Sequence, residues 1–354
     1  MNTRQTIIAA AIGIVFGTSH SALAAETVQP ASRQHQQVWA ISTDNDLFVP
    51  TQTDRDFTAG LALTYAGQPG VRYWRGFDNA LASVDRWLHL NTATQDSGAI
   101  TPALEFGVYG FTPDNIEATD LQTNDRPYAS LVYLSASRVY RDAASGDAWS
   151  TALTIGALGL DVFEAGQNTV HRVIGANQAE GWQHQISDGG ELTLRYQAAY
   201  HDYWALSSPS AQFKTTYFGS VGYLTEAGVA LSTRMGRISS PDYRFNPELI
   251  AYGERVNEAA TTPFGGQESY FWGGVAVKAR AYNAFLQGQF RDSEHTLSGS
   301  ELRPLLVEAW VGYTLSLARD FKLSYVVRAQ SSEIKQGEGD RSLLWGGLVL
   351  SQSF

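Results

Sequence analysis

Segments of about ten residues in which apolar and polar side chains alternate recur along this chain, and that period limits what it can build. From Phe321, the residues Leu323, Tyr325, Val327 and Ala329 continue one face, while Lys322, Ser324, Arg328 and Gln330 occupy the other. The same arrangement sets Leu192, Leu194, Tyr196, Ala198 and Tyr200 against Thr193, Arg195, Gln197 and His201, and it returns over 227–235 and 307–317. A period of two is that of a strand, because successive Cβ atoms point to opposite sides of the pleat. Charged side chains on one face of so many strands, with aromatic and aliphatic ones on the other, fit a closed sheet with a wet interior and an apolar exterior.

No stretch approaches the roughly 20 consecutive apolar residues that a spanning helix needs, so any membrane insertion is by strands. The N-terminus carries Arg4, an apolar run from Ile7 to Phe16, and Ala22-Leu23-Ala24. These are the parts of a secretory signal peptide, expected to cover 1–24 and to leave 25–354 as one barrel domain. Cysteine is absent, which excludes a disulfide framework and a thiolate metal site. A net charge of -10 without basic stripes argues against a nucleic-acid partner. The chain ends on Phe354 in a strand-like run from Ser342, resembling the signal by which outer-membrane barrels engage their assembly machinery.

The expected fold is therefore all-β: a transmembrane antiparallel up-and-down β-barrel of about 12 strands, an even number returning the chain to its starting side. Strands are expected around Val38, Phe57, Leu104, Ala129, Ser150, Leu192, Phe213, Ala227, Phe271, Val307, Phe321 and Leu343. With a periplasmic N-terminus, the connections near 46–56, 112–125 and 161–190 lie together at the extracellular rim. A short turn at Arg319-Asp320 and a long segment from Ile238 to Gln267 fall on the periplasmic side, the latter without an evident role.

The three outer connections hold the candidate chemistry. Asp44-Asn45-Asp46 ends the first strand, and Asp54, Asp56 and Thr58 open the second, a set of oxygen donors suited to a hard cation such as calcium. By parity, Asp46 and Thr58 face the lumen, whereas Asn45 goes with Trp39 and Ile41. The run Gln167-Asn168-Thr169-Val170-His171-Arg172 lacks alternation and suits a short helix in the loop. Gln167 and His171, four apart, share one helical face. A histidine there can act as general base toward water, and the amide can orient water or ester.

On these residues the chain resembles the lipid A 3'-O-deacylase family of outer membranes over essentially its whole mature length. The matching pieces are Asn45-Asp46, the run from Asp54 to Gly60, Asp125-Arg126, and Gln167 through Ala176 with Trp182 following. The resemblance implies a twelve-stranded barrel whose active site sits at the outer-leaflet end. It implies calcium-dependent hydrolysis of the 3'-linked acyloxyacyl ester of lipid A in lipopolysaccharide, within outer-membrane lipid. His171 would be the base, Gln167 its neighbour, Asn45 and Thr58 further site residues, and Asp46 the metal ligand. Two positions depart from the family pattern: 112–125 contains no lysine, leaving Arg126 or the cation to serve the oxyanion, and the acid six residues past the histidine is Asn177. A serine-dependent outer-membrane phospholipase is disfavoured, since none of the seven histidines stands two before a serine. The non-enzymatic alternative is a barrel that binds lipopolysaccharide or passes small solutes.

Overall fold

Twelve strands close into one antiparallel barrel in a computed structural model that describes residues 37–49, 56–67, 74–90, 102–142, 145–256, 266–318 and 320–354. The expected leader, Asp54, and Arg319 of the expected turn lie outside the described residues. The strands are β1 (Val38–Asn45), β2 (Asp56–Ala66), β3 (Ala103–Thr112), β4 (Ala129–Arg141), β5 (Ala148–Leu158) and β6 (Glu191–Tyr203). They continue as β7 (Ala211–Gly222), β8 (Leu224–Arg237), β9 (Ser269–Asn283), β10 (Leu305–Ser316), β11 (Phe321–Gln330) and β12 (Leu343–Ser353). Each pairs with its sequence neighbour, and β1 closes on β12 from Val38↔Ser353 to Asn45↔Gly346. Every strand centre expected from alternation falls inside one of these spans.

The faces divide as the period of two requires. On β11, Lys322, Ser324, Arg328 and Gln330 are buried toward the lumen while Phe321 and Tyr325 are exposed. On β6, Leu192 is 84% exposed and Arg195 and His201 are buried. Connections after odd-numbered strands share one rim, here the loop rim; the described chain ends and the remaining connections share the other.

Among the described residues, three α-helices accompany the barrel: α1 (Arg75–Trp87), α2 (Val162–Ile174) and the single turn α3 (Ala284–Gln287). α2 is the loop helix expected from sequence; α1 was not anticipated. It lies on the outer wall, where Asp85 accepts hydrogen bonds from Tyr140 (2.6 Å), Thr151 (2.9 Å) and Tyr196 (2.8 Å). Asp78 takes a bidentate pair from Arg138. Its signal was present, since Phe77, Leu81 and Val84 follow a helical spacing.

The segment after β8 now has a role, because it turns back into the barrel. Phe245 packs edge-on against Tyr270 and Trp272 near the rim where β8 ends. Glu248 receives Lys214 at 2.8 Å. Tyr252, at φ 56°, forms a tight turn whose ring meets Phe111 at 4.7 Å and stacks on Phe57 at 6.0 Å, near the loop rim. Together with Tyr109, Tyr223, Phe285 and Trp345 these rings form a buried aromatic layer across the lumen. Beside and below it, ion pairs such as Arg280–Glu226, Arg280–Glu333, Lys278–Glu308 and Arg328–Glu308, all at 2.6–2.7 Å, fill the interior. Such pairs tolerate burial because each charge has a partner; removing one member leaves an uncompensated ion and is strongly destabilising.

Candidate active site on the outer face of the loop rim

The site begins where β1 stops pairing. Asn45 caps a 3-10 turn, Asp46–Phe48: its side-chain oxygen accepts from the Leu47 N–H at 2.6 Å, and its amide donates to the Thr58 carbonyl. The tight passage of this turn over β12 needs Gly346, where a Cβ would stand 2.7 Å from the Phe48 Cβ.

Thr58 is the extra residue of a β-bulge: Phe57 pairs with Phe111 and Ala59 with Gly110, leaving Thr58 between them. A bulge re-aims one side chain. Phe57 joins the luminal aromatic layer, whereas the Thr58 hydroxyl lies 2.5 Å from that of Thr112. Thr112 shares the parity of Val108 and Gly110, which face α2 outside the barrel. This corrects the parity reading, which sent Thr58 into the lumen: the bulge brings it to the outer face, where Asn45 also lies.

α2 supplies the second half. Phe163, Gln167 and His171, spaced by four, form its buried stripe, while Val162, Val170 and Val173 are exposed. Phe163 seats the helix on the wall, packed against Ala59 and Val108, with its ring where a Cβ on Gly110 would intrude at 2.5 Å. The helix ends at Gly175, whose φ of 74° suits glycine, and Asn168 closes the following turn with two hydrogen bonds to Ala179 (2.9 and 3.1 Å). The structure thus ties Asn45 directly to Thr58, and seats the helix that carries Gln167 and His171 on the adjoining wall through Phe163 over Gly110, the β3 partner of Ala59.

His171 is 5% exposed, and its Nδ1 lies 2.5 Å from the carbonyl oxygen of Asn177. A carbonyl only accepts, so Nδ1 carries the proton and the lone pair sits on Nε2. The side chain of residue 177 is therefore not what orients the ring; the main chain does this with asparagine as well as with an acid. Gln167 is oriented too: its Oε1 accepts from Trp182 Nε1 at 2.9 Å, and its buried Nε2 has no hydrogen-bond partner among the described residues. Trp182 is held by Tyr128 and Phe163, at ring distances of 4.8 and 5.1 Å.

Other candidates are drawn away. Asp56 is bound by Arg126 (3.2 Å) and Arg341 (2.8 Å), and Asp44 by Arg255, so neither is offered to a cation. Arg126 lies over the Phe111 ring, 5.0 Å from its centre, on the luminal side of the wall. It is therefore not placed to stand in for the missing lysine. Sequence reasoning passed over Thr112, Phe163 and Asn168 as site residues, although the spacing of Phe163 to Gln167 and His171 was readable as one stripe.

Because Trp182 fixes which end of the Gln167 amide faces the site, Trp182→Phe keeps the ring packing and frees the amide to flip. Turnover in this variant is expected to fall about two- to tenfold, the worth of one neutral hydrogen bond. Steady-state kinetics beside a melting curve checks this; unchanged turnover would remove the amide's orientation from the argument.

A closed twelve-stranded barrel with a buried imidazole and primary amide on a loop helix seated against its wall defines an outer-membrane barrel with a candidate site at its loop rim. The chain belongs to the family described as Outer membrane protein LpxR, whose model matches residues 9–354. LpxR from Salmonella typhimurium shares the fold, with a TM-score of 0.67 at 18% identity over 90% of this chain and 100% of that one. An outer membrane channel from Pseudomonas putida F1 (TM-score 0.42, 10% identity, 93% and 100% covered) and the KdgM porin (0.39, 5%, 90% and 99%) are more remote. No curated protein matches the sequence.

Proposed function

We propose that this protein is a calcium-dependent lipid A 3'-O-deacylase that hydrolyses the 3'-linked acyloxyacyl ester of lipopolysaccharide at the extracellular side of the outer membrane. The observation that carries the reading is the position of the imidazole and amide: between α2 and the outer wall, where a lipid lies, and not in the lumen. The exposed valines of α2 support it by giving the site an apolar approach. The aromatic layer and ion pairs filling the lumen weigh against the solute-passing alternative.

In the proposed reaction His171 Nε2 takes a proton from water as its oxygen attacks the ester carbonyl. The Gln167 Nε2 hydrogens meet the developing oxyanion, the role left open by the absent lysine. Collapse breaks the ester C–O bond, the imidazolium returns the proton to the departing sugar oxygen, and the products are a carboxylic acid and a free 3'-hydroxyl.

The donors adjoining Asn45 in the chain and at the β2 bulge are of the kind calcium takes. They are a buried carboxylate on Asp46 and the threonine hydroxyls at 58 and 112, all oxygen, in a chain without cysteine. Asp46 would hold the ion with Thr58 beside it and water completing the shell. Such an ion supplies polarisation of the ester carbonyl. The terminal strand ending at Phe354 is read as the signal for the barrel-assembly machinery.

Mass spectrometry of lipid A from outer membranes with and without the gene tests the proposal. The expected result is loss of the mass of the 3' acyloxyacyl group when the protein is present. Unchanged lipid A at saturating calcium sinks the enzymatic reading.

A further inference from the structure

The turned-in segment 238–256 reaches the back of the strand that carries the candidate metal ligand. Arg255 Nε donates to Asp44 Oδ2 at 3.0 Å, and Nη2 meets Oδ1 in the same pair. Asp44 immediately precedes Asn45 and Asp46, so a luminal ion pair and the outer site share three consecutive residues of one strand end. The arginine is itself fixed: its N–H donates to Glu105 at 2.8 Å, and the preceding Gly253 carbonyl accepts from Tyr133 at 3.0 Å. Room for the pair comes from Gly347, the β12 partner of Asp44, where any Cβ would collide with both the guanidinium and the carboxylate. Gly346 beside it makes the matching room for Phe48 on the turn. Two adjacent glycines on one strand thus serve both sides of this wall.

We infer that the luminal segment sets the candidate site through the barrel wall, with Arg255 as the positioning residue for Asn45 and Asp46. The inference rests on the proposed deacylase reading for its kinetic consequence, but not for its structural one. A guanidinium that grips Asp44 at two points, on a backbone stretch held at two more by Glu105 and Tyr133, fixes the direction in which β1 leaves the sheet. The 3-10 turn then presents Asp46 and lets Asn45 grip Thr58. Substrate is met by α2 and the outer wall, so losing this support should lower kcat and leave KM for lipid A unchanged.

The test is Arg255→Gln in the full-length protein, refolded in detergent and checked by heat-modifiable gel mobility. Hydrogen exchange of the peptide covering 42–49 should accelerate, since its amides lose the anchor that holds them closed. With purified lipid A and calcium, kcat should fall roughly tenfold to a hundredfold, the effect of displacing a reacting group by about 1 Å. Arg255→Lys should recover part of both, because an ammonium can pair with Asp44 but not in bidentate fashion. Lys278→Gln, which breaks a buried luminal pair on β9 and β10, should move neither readout. If Arg255→Gln does not fold, the Asp44→Asn/Arg255→Gln pair leaves no lone buried charge and takes its place. A folded variant with parental exchange at 42–49 and parental kcat overturns the inference, as does an equal loss in Lys278→Gln. If the parent turns over no lipid A, the deacylase reading fails, and the exchange comparison alone decides the positioning role.

Discussion

His171→Ala is expected to lower release of the 3' acyloxyacyl chain about 10²- to 10⁴-fold, the usual cost of losing a general base. The barrel should still assemble, because His171 lies in a loop helix and contributes nothing to strand pairing. The magnitude follows from the tautomer that Asn177 imposes: with Nδ1 turned to a carbonyl, Nε2 is the nitrogen that can accept the proton of water. Gln167→Ala should cost less, since an amide orients groups and donates to an oxyanion but takes no proton. Mass spectrometry of lipid A from membranes carrying each variant separates the two, with heat-modifiable mobility as the folding control. Parental activity in His171→Ala would place the base elsewhere.

The barrel was legible because its determinant is local and periodic. In runs such as 192–201 and 321–330, one side chain in two is polar for the filled lumen and the next apolar for the lipid, and this writes the strand directly into the sequence. The candidate site was legible in part. Gln167 and His171 announce themselves by helical spacing within a strand-rich chain, and Asn45-Asp46 by their position at a strand end. Thr58 was named as a candidate but aimed the wrong way, since a bulge changes parity by one residue and has no residue signature of its own. The segment 238–256 was opaque for a different reason: its partners Asp44, Glu105, Tyr133 and Lys214 lie on strands remote in sequence, so neither spacing nor composition points from one to the other. Helix α1 was readable but stood out little, because one short amphipathic helix of period 3.6 is easily lost among a dozen segments of period two.

Chelation of calcium is expected to abolish turnover, and Asp46→Asn to raise the half-saturating calcium concentration at least roughly tenfold, comparable to losses seen when support for a metal ligand is removed. Among the described acids at this end of β1 and β2, Asp44 is committed to Arg255 and Asp56 to Arg126 and Arg341, so Asp46 is the carboxylate assigned to the ion. A site built on one carboxylate with hydroxyls and water holds calcium weakly, since affinity rises with the number of charged ligands. Removing that charge should therefore act on the calcium requirement first and on maximal rate only where the ion no longer saturates. Magnesium should substitute poorly, because it demands a tighter octahedron and gives up water reluctantly. Titrating calcium against initial rate for parent and Asp46→Asn, in detergent with purified lipid A, measures both constants at once. Full activity in excess chelator would take the metal out of the reaction. The oxyanion would then be left to the Gln167 amide alone, and Gln167→Ala would have to cost as much as His171→Ala.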